Sequence, residues 1–87
     1  MLIITFSKIF KKSFKKKDNF VQKKALERIQ LFRENSNNIL LNNHKLHGEY
    51  FGFRSINITG NYRAIFKYSD KNNIVFTDIG THTELYG

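Results

Sequence analysis

The fold class is decided by residues 53–68, which read FRSINITGNYRAIFKY. Apolar and polar residues alternate there with a period of two, which is typical of strands that bury one face. The segment Thr59-Gly60-Asn61-Tyr62 interrupts the alternation, and glycine and asparagine tolerate the positive φ angles of tight turns. The stretch therefore predicts a β-hairpin whose return strand runs from Tyr62 to Tyr68.

Further strands are predicted on both sides of this hairpin. The apolar run Ile74–Ile79 follows a turn at Ser69–Asn73 and predicts a third antiparallel strand. Residues 2–6 are apolar and partly β-branched, which indicates a short first strand. Residues 42–48 are interpreted as a loop or as the entry to a short strand.

Residues 6–34 have the periodicity of helices. A first helix is predicted from four apolar residues that share one face: Phe6, Ile9, Phe10 and Phe14. The basic run Lys15–Lys17 ends this helix, because positive charge is favoured at a helix C terminus. Asp18 is the expected N-cap of a second helix over residues 19–34. This helix has an apolar stripe, with Leu26 beside it, that comprises Val21, Ala25, Ile29 and Phe32.

These elements predict an α+β fold in which an N-terminal helical hairpin packs on a small, mainly antiparallel sheet. After a polar break at residues 35–38, the apolar residues 39–41 are expected to return toward the core. The chain, residues 1–87, is predicted to form a single domain. One sheet face is expected to pack on the helices and comprises Ile56, Ile58, Ala64 and Phe66. The other is expected to expose Ser55, Asn57, Arg63 and Lys67.

Composition argues against several classes of protein. The chain has no cysteine, so it has neither disulfides nor a thiolate metal site, and it fits the cytosol. The three histidines, His44, His47 and His82, lack the spacing of a zinc site, and carboxylates are few. We therefore expect no metal and no cofactor. No apolar run approaches the roughly 20 residues that cross a bilayer, and a cytoplasmic protein is expected.

Charge is unevenly distributed along the chain. Ten of the 15 basic residues, but three of the seven acidic residues, lie in residues 1–35. This asymmetry favours a polyanionic partner such as nucleic acid or a ribosome. Two simpler interpretations remain open: the codon bias of an AT-rich genome, and lysines that form only the solvated face of a helix.

Polar residues able to act on a phosphodiester are expected to converge beyond the last strand. Arg63 can hold a phosphate, His82 can transfer a proton, and Tyr86 can stack on a base or transfer a second proton. Alternatively, Arg63 forms an ion pair with Asp70 or Asp78. His44 is open to the interpretation of a structural or surface histidine.

Four motifs carry a resemblance to a known family. In order they are His44-Lys45-Leu46-x-Gly48, Gly52–Ile56, Gly60–Phe66 and Ile79-Gly80-Thr81-His82-x-x-Leu85-Tyr86. In this register they resemble the RelE/YafQ superfamily of bacterial type II toxins. The resemblance implies a RelE-like toxin that enters the ribosomal A site and cleaves mRNA there. It further implies that the ribose 2′-hydroxyl attacks the adjacent phosphate without metal or cofactor. The implied partner is a cognate antitoxin, whose complex with the toxin binds operator DNA.

The resemblance also assigns residues. The YafQ-like pattern places catalytic roles on His44, His82 and Tyr86, and the RelE-like arginine falls on Arg63. RNA contacts are expected from six further residues: Lys11, Lys12, Lys15, Asn57, Asn61 and Lys67.

Three positions depart from the family pattern. Asn57 and Asn61 replace a histidine and an aspartate, neither asparagine can titrate, and Asp78 replaces an arginine. His82 is therefore expected to carry most of the proton transfer, with Arg63 as the main phosphate cation. The same departures keep two alternatives open: a ParE-like inhibitor of DNA gyrase, and a catalytically degenerate, non-toxic relative.

Overall fold

The computed structural model describes residues 2–86, in which five strands and three helices follow one another. The strands are β1 (Ile3–Phe6), β2 (His44–Lys45), β3 (Arg54–Asn57), β4 (Tyr62–Tyr68) and β5 (Asn73–Thr81). The helices are α1 (Lys8–Lys15), α2 (Asn19–Glu34) and α3 (His82–Tyr86), with single 3-10 turns at Ile39–Leu41 and Gly48–Tyr50.

All five strands form one mixed sheet in the order β1-β5-β4-β3-β2. The consecutive strands β3, β4 and β5 are antiparallel, as the hairpin pattern predicts. The first strand lies parallel to the last, with Ile3 opposite Asn73, so β5 occupies an interior position. The predicted α+β fold, helices packed on a mainly antiparallel sheet, is confirmed.

The first helix begins later than its apolar pattern predicts. Phe6 belongs to β1 and pairs opposite Phe76, so its assignment to the helix is wrong. The hydroxyl of Ser7 marks the boundary, because it donates to the Thr77 carbonyl at 2.8 Å and accepts from the Phe10 amide at 3.0 Å. A serine that caps a helix fixes its first turn.

The second helix forms as predicted. Asp18 is its N-cap and accepts from the Val21 amide at 2.9 Å. The predicted stripe is buried in full: Val21, Ala25, Ile29 and Phe32. The Phe32 ring meets Phe66 and Phe76 edge to face, with centroids 4.9 Å and 5.6 Å away, which attaches α2 to the centre of the sheet.

Three apolar residues expected in the core are exposed instead. Ile9 is 64% exposed because the short α1 turns only Phe10 and part of Phe14 toward the sheet. Ile39 is 90% exposed and Leu40 is 59% exposed, because the single 3-10 turn directs one side chain, that of Leu41, into the core.

The sheet face away from α1 and α2 is partly covered, contrary to the expectation of an open polar face. Ser55 was expected to be exposed and is fully buried, as is its neighbour across the sheet, Ile65. Helix α3 packs on β5 at this face, where it folds back over Gly80 and buries Leu85.

The hairpin turn at residues 59–62 also differs from its prediction. Neither Gly60 nor Asn61 has a positive φ. The turn is held instead by the hydroxyl of Thr59, which accepts from the amides of Asn61 and Tyr62 at 3.3 Å and 3.2 Å. Such a side-chain turn removes the need for left-handed backbone.

Candidate active site

The tail that follows β5 is a helix rather than an extended segment. Thr81 caps it, since its hydroxyl accepts from the Glu84 amide at 3.1 Å while Glu84 Oε1 accepts from the Thr81 amide at 2.8 Å. This reciprocal pair is a capping box, and the spacing Thr-x-x-Glu is its signature in sequence. The helix places His82 and Tyr86 four residues apart on one side, with ring centroids separated by 4.8 Å. Gly87, the last residue of the tail, lies outside the described residues.

All four residues to which the sequence assigns catalytic roles line one open cleft of about 420 Å³. His44 enters from β2, Arg63 from β4, and His82 and Tyr86 from α3. The remaining lining comes from the segment around the second 3-10 turn: Asn42, Leu46, His47 and Tyr50. Residues that are distant in sequence therefore meet at one end of the sheet.

Tyr50 is a lining residue that sequence reasoning missed. Its hydroxyl donates to the Leu85 carbonyl at 2.7 Å, and its ring meets Tyr86 edge to face at 5.5 Å. Tyr50 thus holds α3 against the loop that follows β2. The contact joins residues 35 positions apart, so no local spacing pattern could have found it.

His47 is a second lining residue that sequence reasoning did not assign to the site. It precedes the 3-10 turn at Gly48–Tyr50, where its side chain forms no capping hydrogen bond. Gly48 follows it with φ +64°, which favours glycine. All three histidines of the chain consequently line the same cleft.

The ring of His44 is oriented by the backbone. Its Nδ1 lies 2.7 Å from the carbonyl oxygen of Asn42. A carbonyl only accepts, so Nδ1 carries the hydrogen and the neutral ring leaves Nε2 free to take a proton. Asn42 itself has φ +45°, a left-handed conformation that asparagine tolerates and that turns its carbonyl toward the ring.

Arg63 has no carboxylate partner within residues 2–86. Its Nη1 makes long hydrogen bonds, 3.3 Å to 3.4 Å, to the carbonyls of Thr59, Gly60 and Tyr62. The alternative of an ion pair with an aspartate is wrong. Asp78 accepts instead from the amide of Ile79, and the Asp70 carboxylate accepts from residues 72 and 73 of its own turn. The remaining guanidinium donors are available to a phosphate.

The residues predicted to contact RNA lie in different places. Asn61 lines a second depression, of about 410 Å³, that shares Arg63 and His82 with the cleft. Asn57 pairs opposite Arg63 but is half-buried, and its buried Oδ1 has no hydrogen-bond partner among residues 2–86. Lys67 lies 5.5 Å from the ring centroid of Phe53, outside the lining of the cleft.

The lysines of α1 are not brought to the cleft. Lys11, Lys12 and Lys15 are all exposed, and Lys11 and Lys15 border an apolar groove between α1 and α2, lined mainly by Phe10, Phe14 and other apolar residues.

Charge at α3 is controlled by Glu84. The Thr81 amide, followed by the ammonium of Lys17, lowers the pKa of the Glu84 carboxyl. The carboxylate therefore remains ionised through neutral and mildly acidic pH. Across residues 2–86, no group of histidine and acidic side chains is arranged to hold a metal ion. No helix in the same range is long and apolar enough to cross a membrane.

The helical hairpin, the five-stranded sheet and the short final helix beside the cleft define a RelE-like toxin. The sequence profile described as "Bacterial toxin of type II toxin-antitoxin system, YafQ" matches residues 2–87. The chain therefore belongs to the YafQ family, and the resemblance to the RelE/YafQ superfamily is confirmed. No curated protein sequence matches the chain.

Solved structures agree with this assignment. YafQ from Escherichia coli BL21(DE3) is 24% identical over all of both chains, with a TM-score of 0.78. YafQ in the E. coli DinJ–YafQ complex is also 24% identical over all of both chains, with a TM-score of 0.72. A chain of the heterotetrameric YoeB–YefM toxin–antitoxin complex from Staphylococcus aureus is 24% identical, with a TM-score of 0.74, over 94% of this chain and 98% of that one. These likenesses concern the fold.

Proposed function

We propose that this toxin is a metal-independent endoribonuclease that cleaves mRNA in the ribosomal A site. The observation that carries the proposal is the convergence of two imidazoles, a guanidinium and a phenol on one open cleft: His44, His82, Arg63 and Tyr86. These groups match what phosphodiester cleavage by an internal nucleophile requires, namely a base, an acid and a cation.

Proton transfer is divided between the two histidines. His44, with its hydrogen on Nδ1, accepts the proton of the ribose 2′-hydroxyl at Nε2. The 2′-oxygen bonds to the adjacent phosphorus as the bond from phosphorus to the 5′-oxygen breaks. His82, as the imidazolium, donates its proton to that leaving oxygen. The products are a 2′,3′-cyclic phosphate and a 5′-hydroxyl, so atoms and charge balance without an external reactant.

Arg63 neutralises the charge that develops on the phosphate. Its contacts to three carbonyls hold Nη1 toward the turn at residues 59–62 and leave other guanidinium donors for the two non-bridging oxygens. Asp78 does not line the cleft, and its carboxylate accepts from the Ile79 amide.

Tyr86 provides a stacking surface for a base next to the cleaved bond. The Tyr86 ring contacts the ring of Tyr50 on one side and that of His82 on another, and the residue remains partly exposed. Stacking on an aromatic ring holds an unpaired base at about 1–3 kcal/mol and tolerates different bases. Asn61, beside Arg63 and His82, is placed to contact the neighbouring nucleotide.

The ribosome compensates for the titratable groups that this chain lacks. Asn57 and Asn61 cannot transfer protons, so two imidazoles perform the proton transfers. Positioning of the mRNA by the ribosome accounts for much of the rate enhancement, because reacting groups that are already aligned lose little entropy on reaching the transition state. The lysines of α1 favour a ribosomal RNA surface, and Lys67 adds a positive charge on the cleft side of the sheet.

We further propose that a cognate antitoxin neutralises this chain, as DinJ accompanies YafQ and YefM accompanies YoeB in the complexes named above. Contact with operator DNA then occurs through the toxin–antitoxin complex. A single domain over residues 1–87 and a cytoplasmic location accord with this function.

The decisive experiment is cleavage of a defined mRNA on purified ribosomes, mapped by primer extension. His82→Ala and Arg63→Ala should each lower the cleavage rate by about 10²-fold or more. Lys71→Ala, in the exposed turn between β4 and β5, is the matched control and should cleave at the wild-type rate. Equal cleavage by wild type and His82→Ala would remove His82 from the mechanism. No cleavage by the wild type, combined with a DNA-damage response on expression, would favour gyrase inhibition.

A further inference from the structure

We propose that Lys17 is a positioning residue of the cleft, acting through Glu84 on helix α3. That helix carries His82 and Tyr86. The consequence for cleavage rests on the proposed function, whereas the effect on the geometry of α3 does not. Lys17 itself does not line the cleft.

The link between Lys17 and Glu84 is close and partly shielded. The lysine Nζ lies 3.1 Å from Oε1 and 3.3 Å from Oε2 of the carboxylate. The Lys17 side chain is 10% exposed, whereas that of Glu84 is 53% exposed. By contrast, the pair formed by Lys24 and Glu27 along α2 is separated by 3.8 Å, with the lysine side chain 37% exposed. The two acidic side chains are about equally exposed, so the shorter distance and the shielded lysine are what make the Lys17 link the more effective constraint.

Lys17 is held in place from its own side. Its amide donates to the Phe14 carbonyl at 3.1 Å, immediately after the end of α1. Its ammonium lies 5.7 Å from the ring centroid of Tyr62. Tyr62 pairs opposite Thr81 in the sheet, and Thr81 is the residue that caps α3. The ammonium thus lies beside the start of α3.

Glu84 connects this ammonium to the helix cap. Its Oε1 accepts from the Thr81 amide at 2.8 Å and from Lys17 as well. Fixing the carboxylate therefore fixes the capping box and the direction in which His82 leaves the sheet. A helix of five residues is too short to be stable by itself in water. Its geometry therefore depends on such contacts, together with the burial of Leu85.

This role separates Lys17 from the other lysines of the basic run. Lys15 and Lys16 are exposed, as a solvated helix end predicts. The Lys17 ammonium is directed at a carboxylate of the chain itself. Although Lys17 belongs to a basic run, its role is to position α3, not to contact a polyanion.

The first test reads the geometry of α3 by NMR and needs no activity. The ring contact between His82 and Tyr86 gives a nuclear Overhauser effect in the wild type, since the ring centroids are 4.8 Å apart. Lys17→Met should weaken it at least about twofold, because freeing α3 increases the mean ring separation. Lys16→Met, an exposed neighbour, is the matched control and should leave it unchanged. An unchanged effect in Lys17→Met would overturn the proposal.

A second variant tests whether Lys17 acts through Glu84. Glu84→Gln preserves an acceptor for the capping box but removes the ion pair. Glu84→Gln should weaken the nuclear Overhauser effect between His82 and Tyr86 as much as Lys17→Met does. The double variant should weaken it no further than either single variant. Lys17→Arg should restore most of the contact. If the decreases caused by the two single variants added in the double variant, Lys17 would not act through Glu84 and the proposal would be overturned.

Cleavage on the ribosome provides the functional arm. Lys17→Met should lower the maximal cleavage rate by about tenfold, since misplacement of a reacting group acts on the chemical step. The ribosome concentration for half-maximal rate should stay unchanged. A wild type that cuts nothing would refute the proposed function but leave the NMR result standing. A change in ribosome affinity with an unchanged maximal rate would show that Lys17 acts as a binding cation and overturn the positioning role.

Discussion

Removing one buried hydroxyl should stabilise this toxin. Ser55 lies in β3, fully buried, and its Oγ has no hydrogen-bond partner within residues 2–86. A buried polar group without a partner costs about 1–3 kcal/mol. Ser55→Ala removes that cost and leaves a void of roughly 15 Å³, which costs about 0.4 kcal/mol at ~24 cal/mol per Å³. The free energy of unfolding should therefore rise by about 0.6–2.6 kcal/mol.

Urea denaturation followed by circular dichroism measures this change. With a slope of about 1–1.5 kcal/mol per molar urea for a small domain, the midpoint should rise by roughly 0.4–2.6 M at an unchanged slope. Ser69→Ala, in the exposed turn after β4, is the control and should shift the midpoint little. An unchanged or lower midpoint for Ser55→Ala would show that the hydroxyl is satisfied in solution and would refute the reasoning.

Three other variants or conditions test the fold around the cleft. The Thr81 amide, and after it Lys17, lowers the pKa of Glu84 below its ordinary 4.5. The contribution of the ionised Glu84 carboxylate to stability is therefore complete above about pH 4.5 and is lost as pH falls through the lower pKa of the folded state. Near-UV circular dichroism of the α3 tyrosine should follow this loss, and Glu84→Gln should abolish the pH dependence. Gly80→Ala would place a Cβ 3.0 Å from Glu84 Oε1 and 3.2 Å from its Cβ, so the urea midpoint should fall by the equivalent of about 1–3 kcal/mol; an unchanged midpoint would mean that α3 packs loosely. Phe32→Ala should cost about 3–5 kcal/mol, leaving much of the protein unfolded by far-UV circular dichroism, and a wild-type melting curve would contradict the assigned core.

The periodicity of apolar residues was sufficient to predict the helices and strands that bury one regular face. The stripe of α2 and the antiparallel hairpin of β3 and β4 each repeat at the period of their own structure, so sequence alone reveals them. Ser7 shows the limit of this approach. The apolar pattern runs from β1 into α1 without a break, and only the hydroxyl that caps the helix marks the boundary.

The candidate site was predictable in part for a different reason. The family motifs singled out His44, Arg63, His82 and Tyr86, and the structure places all four on one cleft. Their chemical roles stay proposals. The capping box of α3 has its signature in the sequence, Thr81-x-x-Glu84, although the tail was not predicted to be helical. The links from Tyr50 and Lys17 to α3 span 35 and 67 residues, and no local pattern reports them.

The interior position of β5 has a consequence for synthesis. A growing polypeptide leaves the ribosome from its N terminus, yet β1 pairs with β5, whose first residue lies 70 positions later in the chain (Ile3 opposite Asn73). During translation, β1 and β4 both lack the strand that joins them until β5 has emerged, and α3 emerges after β5. A partly made chain consequently holds neither a finished sheet nor an assembled cleft. The cleft that holds the candidate residues can therefore form only after β5 and α3 have both been released.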